Sequence, residues 1–124
     1  MDDSKLFPRY EARVINVVSG DDLILMIDLG IDDLFKKKRV RLFNVDTPDA
    51  FRAGDDTPAG QVRNDIRKLT RSKDCEIEVH SQGRGGWIVT LYVKDGNKLI
   101  NVNELLRKRG FVFQQNEEKR RDGG

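Results

Sequence analysis

Cysteine is almost missing from this chain. Cys75 stands alone, so no internal disulfide can form, and the chain fits a reducing, intracellular setting. No apolar run approaches the ~20 residues that a membrane-crossing helix needs. The opening segment MDDSKLFPRY has neither a basic stretch nor an apolar one, so it does not read as a secretory leader. Histidine is as scarce as cysteine, with His80 the single example, and without a His/Cys cluster the sequence argues against a zinc centre. The formal net charge is only +2, too small to indicate nucleic acid by itself. Internal repeats and a second domain are absent as well. The expectation is a cytoplasmic, monomeric domain with no membrane segment.

What is present is charge. Apolar residues make up 37% of the 124 positions and charged residues 35%, so one domain with a small core and a heavily charged surface is expected. The charges are grouped. Acidic pairs (Asp21-Asp22, Asp32-Asp33, Asp55-Asp56) lie beside the basic runs Lys36-Lys37-Lys38-Arg39 and Arg107-Lys108-Arg109. Such runs are usually solvated faces.

The hydrophobic pattern gives the elements. Residues 10–18 (YEARVINVV) and 23–29 are β-branched and apolar, and the SGDD between them reads as a hairpin turn. Residues 38–45 make a third strand that ends in Asp46-Thr47-Pro48. After the loop AFRAGDDTPAG, Thr57 is placed to cap a helix with Pro58 in its first position. Ala59, Val62, Ile66 and Leu69 form the apolar stripe of that helix to about Arg71, with Arg63, Arg67, Lys68 and Arg71 mostly off it. Cys75, Ile77 and Val79 alternate with Glu76, Glu78 and His80 in a fourth strand, which puts His80 on a polar surface. Residues 87–93 (WIVTLYV) are a fifth strand, with Trp87 read as core, and KDGNK is a turn. Asn101 and Glu104 resemble a capping box, Val102, Leu105 and Leu106 face inward, and Gly110 closes the second helix.

Three strands, a helix, two strands and a helix suit an α+β, mainly β domain. The expected architecture is a five-stranded OB-like Greek-key barrel with a helix plugging one end. The domain covers residues 1–113, and residues 114–124 read as a polar, disordered tail.

One stretch asks for a chemical explanation. RLFNVDTPDAF, residues 41–51, sets Arg41 in an apolar strand that ends on two carboxylates, Asp46 and Asp49, either side of Pro48. Antiparallel pairing would bring the start of the second strand and the end of the third to one edge, where Asp21 and Asp46 converge. Two carboxylates with a backbone carbonyl make a hard oxygen site for Ca²⁺ or Mg²⁺. The alternative is that both are ordinary turn residues. Arg41 offers a bidentate fork for a phosphate, or else one more exposed rung of the KKKRVR edge. An odd number of residues separates Arg41 from Asp46, so on a straight strand they face opposite ways. A shared site requires a bend, or Asp46 lying beyond the strand end.

SGDD at 19–22, RLFNVDTPD at 41–49, WIVTLYV and INVNELLRKRGF together resemble the thermonuclease family typified by staphylococcal nuclease, over roughly residues 10–113. The resemblance implies an OB-like barrel that hydrolyses DNA and RNA phosphodiesters with Ca²⁺. It also implies roles: Asp21, Asp46 and the Thr47 carbonyl as metal ligands, Arg41 as a phosphate arginine, and Asp49 in place of the family's glutamate as the base that activates water. Lys36, Lys37, Lys38, Arg39 and the arginine-rich helix face would hold a single-stranded DNA or RNA electrostatically.

Two features depart from the family. Its second arginine, before the fifth strand, aligns with Gly86, and the nearest candidate is Arg84, two residues earlier in HSQGRGGW. Its third helix has no counterpart in QQNEEKRRDGG. Two functions therefore stay in view: a Ca²⁺-dependent nuclease, and a barrel with weakened or lost catalysis that binds nucleic acid or protein.

Overall fold

A computed structural model describes residues 7–50 and 53–112. The strands are β1 (Arg9–Ser19), β2 (Asp22–Asp28), β3 (Phe35–Leu42), β4 (Cys75–Gly83), β5 (Gly86–Asp95) and β6 (Lys98–Asn101), and the helices are α1 (Pro58–Thr70) and α2 (Val102–Lys108). The sheet order is β3-β2-β1-β4-β5-β6. A parallel pairing of β3 with β5, through Val40–Trp87, Arg41–Ile88 and Leu42–Val89, closes the first five strands into a barrel. The expected α+β, mainly β OB-like barrel is therefore the architecture found.

Alternation builds the core. Leu23, Leu25 and Ile27 of β2, Ile77 and Val79 of β4, and Val89, Leu91 and Val93 of β5 point inward and are buried, while their neighbours point out. Val62 and Ile66 of α1 join this core, as do Val102 and Leu106 of α2. Thr57 caps α1 by accepting the Gly60 N–H at 3.0 Å, and Asn101 caps α2 by accepting the Glu104 N–H at 2.9 Å. Gly110, expected to end α2, has φ +99°, the left-handed conformation glycine tolerates.

Four expectations need correction. The third strand runs over 35–42 instead of 38–45, because Phe43 and Asn44 turn the chain, Asn44 at φ +62°. Residues 98–101, read as part of a turn and cap, form β6 against β5. Leu105 is 40% exposed, since only Val102 and Leu106 of that short helix reach the core. His80 is half-buried: it keeps the outer face expected from alternation, but the Phe7 and Phe43 rings pack against it there, with centroids 4.3 and 4.2 Å away. No described helix is long and apolar enough to cross a membrane. The tail at 114–124 lies outside the described residues.

Candidate active site

The β1–β2 hairpin turns through Gly20 and Asp21 between the paired Ser19 and Asp22. A Cβ at Gly20 would fall 2.5 Å from Val62 Cγ1 and 2.9 Å from Thr47 Cγ2, so glycine lets the turn press against α1 and the loop after β3. That approach buries Asp21, only 3% exposed. Its carboxylate is nonetheless satisfied. Thr47 Oγ1 donates to Oδ1 at 3.0 Å, and Arg41 Nη2 donates to Oδ2 at 3.4 Å. The Asp21 carbonyl also accepts the Leu42 N–H at 3.0 Å, tying the turn to the end of β3.

The turn at Phe43-Asn44 resolves the parity between Arg41 and Asp46. Asp46 lies beyond the strand, its N–H donating to the Phe111 carbonyl at 3.2 Å, while Val45 bridges Val112. Asp21, Asp22, Arg39, Arg41, Asp46, Thr47 and Asp49 consequently line one open cleft of about 550 Å³ at the rim of the barrel. The Arg41 side chain is 57% exposed, and its bond from Nη2 to Asp21 is a long one.

The basic run of β3 is divided by the structure. Arg39 faces the cleft but is held by Asp22 in a two-bonded pair, Nε–Oδ1 2.9 Å and Nη2–Oδ2 2.6 Å. That pairing raises the guanidinium's already high pKa. Lys38 turns the other way, its ammonium 5.7 Å from the Trp87 ring centroid. Lys36 and Lys37 are exposed opposite Ile27 and Met26, toward the end of β3 remote from the cleft.

Arg84 sits at the exposed tip of the β4–β5 hairpin, between the paired Gly83 and Gly86, and is not among the cleft-lining residues. Gly86, the position aligned with the second arginine, has φ +134° and lies against β3. A Cβ there would be 2.6 Å from the Arg39 carbonyl oxygen. The closure of the barrel itself thus forbids a side chain at residue 86.

Three supporting residues gave no signal in the sequence beyond their polarity. Ser19 Oγ accepts the Ala50 N–H at 2.9 Å. Arg63, off the apolar stripe of α1 yet 7% exposed, donates Nη1 to the carbonyls of Ala50 (3.1 Å) and Ala53 (3.0 Å) and Nη2 to Asp55 (2.7 Å). Asn103, fully buried, donates to the Phe43 and Val89 carbonyls at 3.0 and 3.1 Å and accepts the Leu91 N–H at 2.9 Å. Together they pin both ends of the segment that carries Asp46, Thr47 and Asp49.

The donors facing the cleft are hard oxygens, suited in kind to Ca²⁺. Among the described residues, no three His, Cys, Asp or Glu side chains gather as a metal cluster. Asp21, Asp46 and Thr47, the residues the resemblance assigns to a cation, all line this cleft, with both Asp21 oxygens accepting hydrogen bonds, from Thr47 and Arg41. No protein-family model matches the chain, and no curated protein matches it, so the thermonuclease resemblance rests on the motifs alone.

Proposed function

We propose that the cleft binds a phosphate of single-stranded DNA or RNA and hydrolyses its phosphodiester bond with the help of Ca²⁺. The observation that carries this reading is the meeting of Asp21, Arg41, Asp46 and Asp49 in one open cleft, with more than half of the Arg41 side chain exposed. A turn-residue role would account for each carboxylate singly but not for their convergence on an exposed arginine. Asp21, Asp46 and the Thr47 carbonyl are the groups that would hold the cation. When bound, the ion supplies positive charge to the phosphoryl oxygens and makes a water more acidic.

The chain's own residues divide the remaining work. Arg41 binds and neutralises a non-bridging phosphate oxygen. Asp49 accepts the proton of the attacking water as its oxygen bonds to phosphorus. The P–O ester bond breaks on the opposite side, and the departing oxygen takes a proton from solvent. Arg39, fixed by Asp22, adds positive charge to the wall of the cleft. This reading keeps the cytoplasmic, monomeric protein expected from the sequence.

Gly86 and the hairpin-tip position of Arg84 favour a second reading, a nucleic-acid-binding barrel with little catalysis. The loss of one transition-state donor typically costs about 10²- to 10³-fold in rate, so slow hydrolysis and none are the outcomes to separate. Degradation of single-stranded DNA at low salt, in Ca²⁺ and in chelator, decides between them. Ca²⁺-dependent cutting by the wild type that disappears in Asp46→Ala and Arg41→Ala supports the nuclease. Salt-sensitive binding without any cutting by the folded wild type removes it and leaves the binding module.

A further inference from the structure

Between the cleft residues Arg41 and Asp46 the chain carries a ring stack that hydrolysis leaves without a role. Phe43 is 43% exposed, and its ring stacks on His80 with centroids 4.2 Å and planes 7° apart. Phe7 packs against the same imidazole at 4.3 Å and 45°. A large apolar ring in solvent is ordinary when it is scattered and mobile. Phe43 is neither. Its N–H donates to the Val89 carbonyl at 2.7 Å, and its carbonyl accepts from Asn103 Nδ2 and Arg107 Nη1, both at 3.0 Å. The imidazole behind it is held in turn by Thr90 Oγ1 at 2.8 Å from Nε2. Both rings are fixed before a ligand arrives, which lowers the ordering cost of binding to them.

The position of the stack relates it to the phosphate arginine. Phe43 follows Arg41 by two residues, at the point where the chain leaves β3 and begins to turn. Arg107 donates to the Phe43 carbonyl at 3.0 Å, so two guanidinium-bearing residues meet this part of the chain. A flat exposed ring on such a segment suits a ligand that is both aromatic and anionic. Trp87, read from the sequence as core, is partly buried, with the Lys38 ammonium 5.7 Å from its ring centroid and the Tyr10 ring centroid 6.2 Å away.

We propose that Phe43, backed by His80, is a base-stacking subsite for a nucleotide adjoining the phosphate held by Arg41. The ligand is then a single strand with unpaired bases, bound with little sequence preference because every base presents a π-face. The inference rests on the phosphate-binding cleft described above and adds to it a subsite for the base.

The test compares affinities, in chelator, for a short single-stranded DNA and for an abasic deoxyribose-phosphate strand of equal length and charge. The wild type is expected to bind the base-bearing strand about tenfold tighter or more, the effect of one stacked base. Phe43→Ala brings that ratio toward one. Phe43→Trp keeps it, and the emission of the added indole, measured against the Trp87 background of the wild type, falls with the base-bearing strand only. Equal, salt-sensitive binding of both strands by the wild type, or a ratio unchanged in Phe43→Ala, overturns the base subsite and leaves the phosphate cleft standing. Binding of neither strand overturns both.

Discussion

The Thr47 hydroxyl donates to Asp21 Oδ1 at 3.0 Å, joining two turns that lie 26 positions apart in the chain. Both groups are buried, so neither can exchange this partner for bulk water. The bond orients the carboxylate while Arg41 takes its other oxygen. Thr47→Val keeps the shape and removes the donor, leaving a buried carboxylate oxygen short of a partner. The expected cost is about 1–3 kcal/mol, read as a lower urea midpoint with an unchanged slope. Thr47→Ser restores most of it. A Thr47→Val protein as stable as wild type would show that the bond does not support the fold.

Arg63 is a fixed post for the loop that follows the carboxylates. Its guanidinium serves two carbonyls and one carboxylate from within a nearly buried position. Lysine has the charge but not the fork that reaches several acceptors at once. Arg63→Lys and Arg63→Ala are therefore both expected to destabilise the protein, by about 2–4 kcal/mol for alanine with two carbonyls left unpaired. Proteolysis should shift to the 46–57 segment in both variants. Wild-type resistance there would refute the assignment.

How much of this was legible in the sequence follows from where each signal lives. Alternation in β2, β4 and β5 and the caps Thr57 and Asn101 are local, so the barrel and its helices could be read directly. The convergence of Asp21 with Asp46 followed from antiparallel geometry, and the turn at Asn44 supplies the bend that the parity of Arg41 required. Arg63 and Asn103 were opaque because their partners are backbone carbonyls, which no residue type announces. The basic run of β3 misled in another way. Its alternate members face different surroundings, so Lys38 meets Trp87 while Arg39 meets Asp22. His80 keeps the face that alternation gave it, and its partial burial comes from Phe7 and Phe43, which the strand pattern does not announce.

Burial pushes the His80 imidazole below its ordinary value of about 6.5, and Glu78, 3.8 Å away, only partly opposes this. The unfolded chain then binds the proton more readily than the native one. The stability associated with neutral His80 is present above pH 6.5 and is lost as pH falls from there through the lower native value. His80→Phe, which preserves a ring beneath Phe43, should show a flatter melting temperature between pH 7 and pH 5 than the wild type. Parallel pH profiles for the two proteins would contradict a neutral, proton-resistant imidazole.

Cys75 is fully buried, and burial with the nearby Asp74 charge pushes its thiol up to about 11. The thiolate is the reactive form, so a native protein at pH 8 should barely react with an aromatic disulfide reagent. Urea sufficient to unfold the chain should release one equivalent at the rate of a free thiol. Rapid labelling under native conditions would show that this end of β4 opens.

Restoring an arginine at residue 86 is the change that the alignment invites and the barrel resists. Gly86 has φ +134°, and a Cβ would meet the Arg39 carbonyl oxygen at 2.6 Å, where β5 closes on β3. Gly86→Ala and Gly86→Arg should each lose on the order of 2 kcal/mol or more, because the position combines backbone strain with a backbone clash. If the chain has the proposed nuclease activity, any gain of rate in Gly86→Arg would have to overcome disturbance of Arg39 and its Asp22 pair on the cleft wall. Arg84, at the hairpin tip between Gly83 and Gly86, has no such constraint. Arg84→Ala should leave the melting temperature within about 2 °C of wild type, since exposed surface changes are usually worth less than 0.5 kcal/mol. Its effect on cutting rate therefore reads its chemistry cleanly. A fall of about a hundredfold would mean that the hairpin swings Arg84 onto the phosphate when substrate binds. An unchanged rate would mean that Arg41 is the arginine on which phosphate neutralisation depends.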